Sequence, residues 1–340
     1  MTPSPVRYYR RIIKIKAEDS PNVHLALEQI RAGREPTGEI ILPGVLPYSE
    51  YVKRRATWDA VRQCIGLDAE FWEGKDALMF PPEWLNIAEQ RHRNLIENKV
   101  VRKARAIGVD PAEGGDKTAW AIVDEYGLMD LISIQTPNTT VITSRTIALM
   151  TQYDVPPERV MFDRGGGGKQ HSDRLNEQGY DTRTVGFGEA VTPELKRGLT
   201  GLDERKEQRA ERYVYKNRRA HMYGTLRELL DPSSMSPTNA NWETWRTIAI
   251  LCGRTVGEFK GFAIPPEYVE LRRQLAPIPL YHDGEGRMYL LPKSKPTPGS
   301  KVKTLTELIG CSPDEADAFV LGIYGMVGKT ATRPTAGAVA

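Results

Sequence analysis

The stretch Ala104–Val123, ARAIGVDPAEGGDKTAWAIV, decides how this chain is read. Two apolar runs, Ala104–Val109 and Thr118–Val123, flank a glycine-rich turn, the pattern of two paired strands. Asp110 closes the first run and Asp116 sits inside the turn. A third apolar run, Leu128–Gln135, follows the short break DEYG, so the three read as an antiparallel meander. Thr139–Tyr153 then has helical spacing, with Ile142, Ile147, Leu149 and Met150 on its apolar side and Pro156-Pro157 closing it off. A strand at Arg159–Phe162 ends in Asp163 and a run of glycines, and a helix over Gln170–Gln178 and a strand over Thr182–Val185 complete the set.

Strand, strand, strand, helix, strand, helix, strand is the order of a ribonuclease H-like mixed α/β sheet flanked by helices. In open sheets of this kind ligands gather at the carboxyl ends of strands. Asp110 and Asp163 both fall at such ends. Downstream, Arg218–Leu230 (RRAHMYGTLRELL) has amphipathic helical spacing, Pro266–Leu275 reads as a short helix, and HDGEGRMYLL reads as a hairpin with Asp283-Gly284 at its turn. Lys293–Lys303 is a loop of Lys, Pro and Ser, and Ser312–Val327 is the last expected helix. Residues 329–340 read as a disordered tail.

Upstream, residues 1–100 look mainly helical and irregular. Helical spacing is clear over Tyr48–Gly66 and Pro82–Glu97, Arg11–Lys16 alternates like a strand, and Trp58, Phe71, Trp72 and Trp84 can anchor a small core. The composition turns basic and strand-like at IENKVVRKAR, which places the expected boundary between a 1–100 region and a 101–328 domain there.

A formal net charge of +3 over 340 residues permits a nucleic-acid partner without demanding one. Three widely spaced cysteines, with no CxxC and no nearby histidine pair, argue against a disulfide framework and a zinc site. They are expected as buried apolar residues. No apolar run approaches the roughly 18 residues needed to span a bilayer, and the N-terminus lacks the apolar core of a secretion signal. No membrane partner is expected, and a cytosolic location is.

The last helix supplies the third candidate carboxylate. Ser312 suits an N-cap, Pro313 the first helical position, and Asp314 and Glu315 the positive end of the helix. Asp317 has no such explanation. It lies among Ala318, Phe319, Val320 and Leu321, where a lone carboxylate is costly unless paired or bound to a cation. Hard oxygen ligands at Asp110, Asp163 and Asp317 select Mg2+ or Mn2+ over zinc, and two such ions can drive phosphodiester hydrolysis. Asp116 reads equally as a further ligand or as an Asp holding a Gly-Gly turn. RGGGGKQ at Arg164–Gln170 invites comparison with an ATP-binding loop, but the pattern GxxxxGK[ST] fails at Asp163 and Gln170. Of the five histidines only His171, beside the glycines, is kept as a neighbour of the site. Lys169, Lys216, Arg218, Arg219, Lys293, Lys295, Lys301 and Lys303 are the basic residues placed to meet phosphates, against the plainer reading of solvated charges.

GVDPAEGGDKTA, FDRGGGGKQHSDRL and GCSPDEADAFVL, in that order, resemble the three nuclease motifs of the large terminase subunit of tailed bacteriophages, across about residues 101–327. The segment from EDSPNV through LPGVLPYSEY to the Trp58–Trp72 stretch resembles the end of that family's ATPase domain. The resemblance implies a ribonuclease H-like endonuclease that cuts concatemeric viral DNA during genome packaging with divalent metal. Carried over by motif, Asp110, Asp163 and Asp317 are the metal-binding triad, with Asp116 a further acidic member and Asp314 the alternative to Asp317. It also implies double-stranded DNA, a portal protein, a small terminase subunit and a packaging ATPase as partners, in the cytoplasm of an infected bacterium. The family's P-loop is missing from the sequence, so no ATPase site is assigned to it. A fragment, a split gene and a nuclease with its motor on another polypeptide all remain open.

Three alternatives stand beside this reading. A Holliday-junction resolvase or transposase-like nuclease would share the carboxylates but lack the terminase-like residues 18–72. A nuclease-inactive DNA- or portal-docking module would use the acids structurally. An actin-like ATPase would need a second phosphate-binding Asp-Gly turn, which the sequence does not offer.

Overall fold

The structure is a computed structural model that describes residues 13–57, 63–64, 66–70, 78–191, 215–233, 245, 248–250, 252–253, 259–284, 286–295 and 302–327. Trp58, Phe71, Trp72, Lys301 and the 329–340 tail lie outside them. The chain divides into two compact units, Met1–Lys75 and Asp76–Ala340.

The first unit holds α1 (Pro21–Arg31) and α2 (Tyr48–Thr57). Ser20 and Pro21 start α1, with Pro at a position where its missing N–H costs nothing. Val23, Tyr51 and Leu67 form its small core. Buried Asn22 holds the Leu42 backbone through a donated bond of 3.0 Å and an accepted one of 2.9 Å. The expected strand at Arg11–Lys16 is not formed over its described residues, 13–16. Ile13 and Ile15 stand exposed there, so the alternation has no buried face to serve.

The second unit begins before residue 100. Its first helix, α3 (Pro82–Glu97), packs Leu85 and Ala88 into the same core as the sheet, together with Met79 and Phe80 just before it. Arg91 reaches the carbonyl oxygens of Leu230 and Phe262 at 3.3 and 3.2 Å. The compositional change near residue 100 therefore marks the start of the sheet, while the compact unit starts at 76.

The sheet follows the expected order. β1 (Ala106–Asp110), β2 (Thr118–Asp124) and β3 (Gly127–Ile134) are antiparallel neighbours, and β4 (Val160–Asp163) and β5 (Arg183–Val185) add in parallel on the other side of β1, giving the order β3-β2-β1-β4-β5. This is the ribonuclease H-like arrangement. Between them lie α4 (Thr139–Tyr153) and α5 (Gly168–Glu177). Next in the chain are α6 (Arg218–Leu230), α7 (Val269–Leu275), the hairpin β6 (Tyr281–His282) and β7 (Met288–Tyr289), α8 (Leu305–Ile309) and α9 (Asp314–Val327).

Alternation along the central strands sorts two layers. Ile107, Val109, Trp120 and Ile122 pack on one face with Ile142, Leu149 and Leu175 of α4 and α5. Ala106, Ala119 and Ala121, with Gly108 between them in the sheet, form the other face and admit α9 very closely. A Cβ on Gly108 would run into the Ala318 carbonyl oxygen and the Gly322 amide nitrogen, both backbone atoms of α9. Gly325 of the same helix lies against Ala106, so α9 runs antiparallel to β1 and its N-terminus arrives at the Asp110 end.

Gly108→Ala should therefore lower the unfolding free energy by about 2–3 kcal/mol, near the top of the usual overpacking range, because neither backbone can step aside. Urea denaturation measures this, with Gly284→Ala, where a Cβ meets open space, as the reference expected to be close to neutral.

Candidate carboxylate site

Two strand ends and one helix N-terminus build the site. Asp110 closes β1 and is 4% exposed, and Asp163 closes β4 and is partly exposed. Asp314 and Asp317 lie in the first turn of α9, and Asp317 is fully buried. The glycine run fits α5 behind Asp163. Gly166 and Gly167 take positive φ, and a Cβ on Gly166 would lie 2.7 Å from the Pro111 carbonyl oxygen, so the β4–α5 and β1–β2 loops are pressed together.

Lys293, on the loop after β7, ties the carboxylates together. Its ammonium nitrogen lies 3.2 Å from Asp110 Oδ2, 3.1 Å from Asp314 Oδ1 and 3.4 Å from Asp317 Oδ2. Thr306 of α8 fixes that loop by donating to the Lys293 carbonyl at 2.7 Å. Asp314 also accepts the Lys117 backbone N–H at 3.1 Å and the Ser312 hydroxyl. Asp317 meets a second cation: Arg219 of α6 donates Nη2 to Oδ1 and Oδ2 at 2.8 and 2.9 Å and Nε to Oδ1 at 3.2 Å. The Tyr223 hydroxyl adds a bond of 2.7 Å to Oδ1.

Burial pushes the Asp110 carboxyl well above its ordinary value; Lys293 opposes this, while the charges of Asp317, Asp314 and Asp163 add to it. Asp163 is also raised, by burial first, with the Gly165 N–H opposing. Burial works against the Lys293 ammonium, yet the surrounding acids Asp110, Asp317 and Asp314 outweigh it and raise its pKa. Four carboxylates thus face two cations, Lys293 and Arg219, an excess of negative charge that favours a further cation or a proton.

The donor set, oxygen only, fits a hard divalent cation. As the side chains stand they are drawn around an ammonium: among the described residues, no group of three His, Cys, Asp or Glu is spaced to hold a metal ion.

The remaining sequence candidates fall in different places. Asp116 is exposed in the β1–β2 loop. His171 is buried on α5, where burial lowers its pKa with the Glu113 charge opposing, and its Nε2 has no hydrogen-bond partner among the described residues. Lys169 is exposed and pairs with Asp173. Lys216 is exposed, its ammonium 5.2 Å from the Tyr289 ring centroid. Arg218 is buried with its guanidinium over Tyr324, and Lys295 pairs with Glu307 at 3.0 Å. Arg219 and Lys293, expected at phosphates, are instead counter-ions within the carboxylate group.

One residue escaped the sequence reading altogether, and another was read only for its place at a helix end. Tyr223 sits four residues from Arg219 on α6, on the same helix face, and its place in the buried stripe with Leu226 and Leu230 was the available signal. Glu315, taken there as a helix-end charge, is buried and accepts the Ser133 hydroxyl at 2.7 Å, with burial raising its pKa. The three cysteines, expected as buried, are each only partly buried.

The strand order and its acidic edge define a ribonuclease H-like α/β domain. No family model matches the chain, and no curated protein matches it significantly in sequence. Among solved structures, it is similar to the nuclease domain of the large terminase subunit gp2 of bacterial virus Sf6, at 17% identity and a TM-score of 0.49, over 72% of this chain and 98% of that one. A mutant form of that domain with manganese and beta-thujaplicinol gives 18% and 0.49 over the same shares. The large terminase nuclease from thermophilic phage G20c with bound magnesium gives 12% and 0.35, over 66% of this chain and 82% of that one.

A raised carboxyl pKa means that the folded protein holds ionised Asp110 less well than the unfolded chain does. That penalty is absent below the ordinary value of 3.8 and grows as the pH rises through the folded value. In metal-free buffer Asp110→Asn should therefore raise the melting temperature at pH 7.5, and the gain should vanish as the pH approaches 3.8. Calorimetry across pH measures both.

Proposed function

We propose that this chain is a divalent-metal-dependent DNA endonuclease of viral genome packaging, of the large terminase kind. The observation that carries the reading is the meeting of Asp110, Asp314 and Asp317 around the Lys293 ammonium at one edge of the sheet, with Asp163 near enough for its charge to bear on Asp110. Asp110, Asp163 and Asp317, with Asp314 beside them, would hold Mg2+ or Mn2+. Bound there, the metal would supply water activation and stabilisation of the leaving oxygen. Asp317 brings one oxygen to this edge, Oδ2, since Oδ1 is taken up by Arg219 and Tyr223. Lys293, on its loop, would be the cation that a bound metal displaces from Asp110, Asp314 and Asp317, and would then be available to a DNA phosphate. The partners implied by the motifs, including a portal protein, a small terminase subunit and a packaging ATPase, belong to the same proposal, as does the cytoplasm of an infected bacterium. No described helix is long and apolar enough to cross a membrane.

A second reading is an inactive DNA- or portal-docking module. What favours it is the ammonium of Lys293 at the centre of the acids, which lets them serve as a structural ion-pair group.

Plasmid cleavage separates the two. With Mn2+ the purified protein should nick and linearise supercoiled DNA, EDTA should stop it, and Asp110→Asn should reduce the rate by at least about 100-fold while the protein remains folded. Equal cleavage by the protein and its Asp110→Asn variant would sink the nuclease reading.

A further inference from the structure

Asp317 is fully buried, and its two oxygens live in different surroundings. Oδ1 accepts from Arg219 Nε at 3.2 Å, Arg219 Nη2 at 2.8 Å and the Tyr223 hydroxyl at 2.7 Å, which fills its acceptor capacity. Oδ2 accepts only one of these bonds, from Arg219 Nη2 at 2.9 Å, and turns its remaining side toward Lys293 and the other acids. The guanidinium is pinned in turn. Its carbon lies 5.4 Å from the Phe187 ring centroid and 5.5 Å from that of Tyr223. The start of α6 is tied to the chain beyond β5, where Arg219 N donates to the Phe187 carbonyl at 3.0 Å and Arg218 N to that of Glu189 at 2.8 Å. Asn217 caps the helix by accepting from Ala220 N at 2.9 Å. Arg219 is 7% exposed, too enclosed to reach a DNA phosphate from this position.

From this geometry we propose that Arg219 and Tyr223 are positioning residues: they clamp Asp317 through Oδ1 so that it presents Oδ2 alone, in one fixed direction, to a divalent cation. The inference rests on the nuclease reading and adds to it that α6, distant from the three acidic motifs in sequence, sets the coordination mode of the third carboxylate. A planar two-pronged donor is needed. Arg supplies it, and Lys, a point charge, keeps the charge but loses the fork. Groups that orient metal ligands from behind typically govern metal affinity by about 10–100-fold.

The test compares the full chain with Tyr223→Phe, Arg219→Lys, Arg219→Met and Asp110→Asn, reading Mn2+ affinity by isothermal titration calorimetry and plasmid cleavage for kcat and KM. Circular dichroism selects the folded variants, and Tyr223→Phe, which removes a single hydroxyl, carries the test if the Arg219 variants do not fold. The expected result is Mn2+ binding weakened about 10–100-fold in Tyr223→Phe and Arg219→Lys, and more in Arg219→Met, with kcat reduced and KM for DNA unchanged. Folded clamp variants that bind Mn2+ like the unmodified protein, or that raise KM and leave kcat alone as a lost phosphate contact would, overturn the inference. If in that case the unmodified protein binds Mn2+ and Asp110→Asn does not, the nuclease reading survives. An unmodified protein that binds no Mn2+ overturns both.

Discussion

The approach of two backbones, β1 at Gly108 and α9 between Ala318 and Gly322, is the constraint on which the rest depends. Around the crossing the facing strand residues are Ala106, Gly108, Ala119 and Ala121, which lets the helix lie almost in contact with the sheet. Because the helix runs against the strand direction, closeness at Gly108 translates directly into the placement of residues one and two turns earlier. Asp317 and Asp314 reach Asp110 for that reason. A bulkier residue at the crossing would lift the helix and open the acidic edge without touching any carboxylate.

Closeness of this kind concentrates charge, and the fold answers with two cations of different character. Arg219 is enclosed and bound in a fork, so it belongs to the architecture. Lys293 is a point charge on a flexible stem, carried by a loop and about one-third exposed. The division has a physical logic. A buried anion left without any partner is far costlier than one held by a fixed donor pair.

Much of this was legible in the sequence because it is local. Runs of apolar residues with turn signals between them gave the strands, and the order of strands and helices gave the sheet. Asp110 and Asp163 were found by lying at strand ends, and Asp317 by being a carboxylate in an apolar helix. What stayed hidden is non-local. Nothing near Lys293 in its loop of Lys, Pro and Ser indicates that its ammonium sits among acids at the ends of β1 and α9. Arg219 was hidden differently: on RRAHMYGTLRELL an arginine pair at the helix start looks solvated, although its spacing to Tyr223, Leu226 and Leu230 puts Arg219 within the buried stripe. Burial of α3 with the sheet was obscured too, since a shift in composition near residue 100 reports a change of secondary structure while packing divides the chain at 75.

Because α9 closes over the first strand of the sheet, order of synthesis matters. A ribosome delivers β1 early and α9 last among the described elements, so a growing chain carries Asp110 and Asp163 for as long as their partners do not exist. Lys293 lies 183 residues beyond Asp110, and Asp314 is 197 beyond Lys117. Over that interval the Ala and Gly face of the sheet lacks α9, and contacts of such long sequence separation form slowly. A nascent chain therefore cannot complete the acidic edge before α9 has been synthesised.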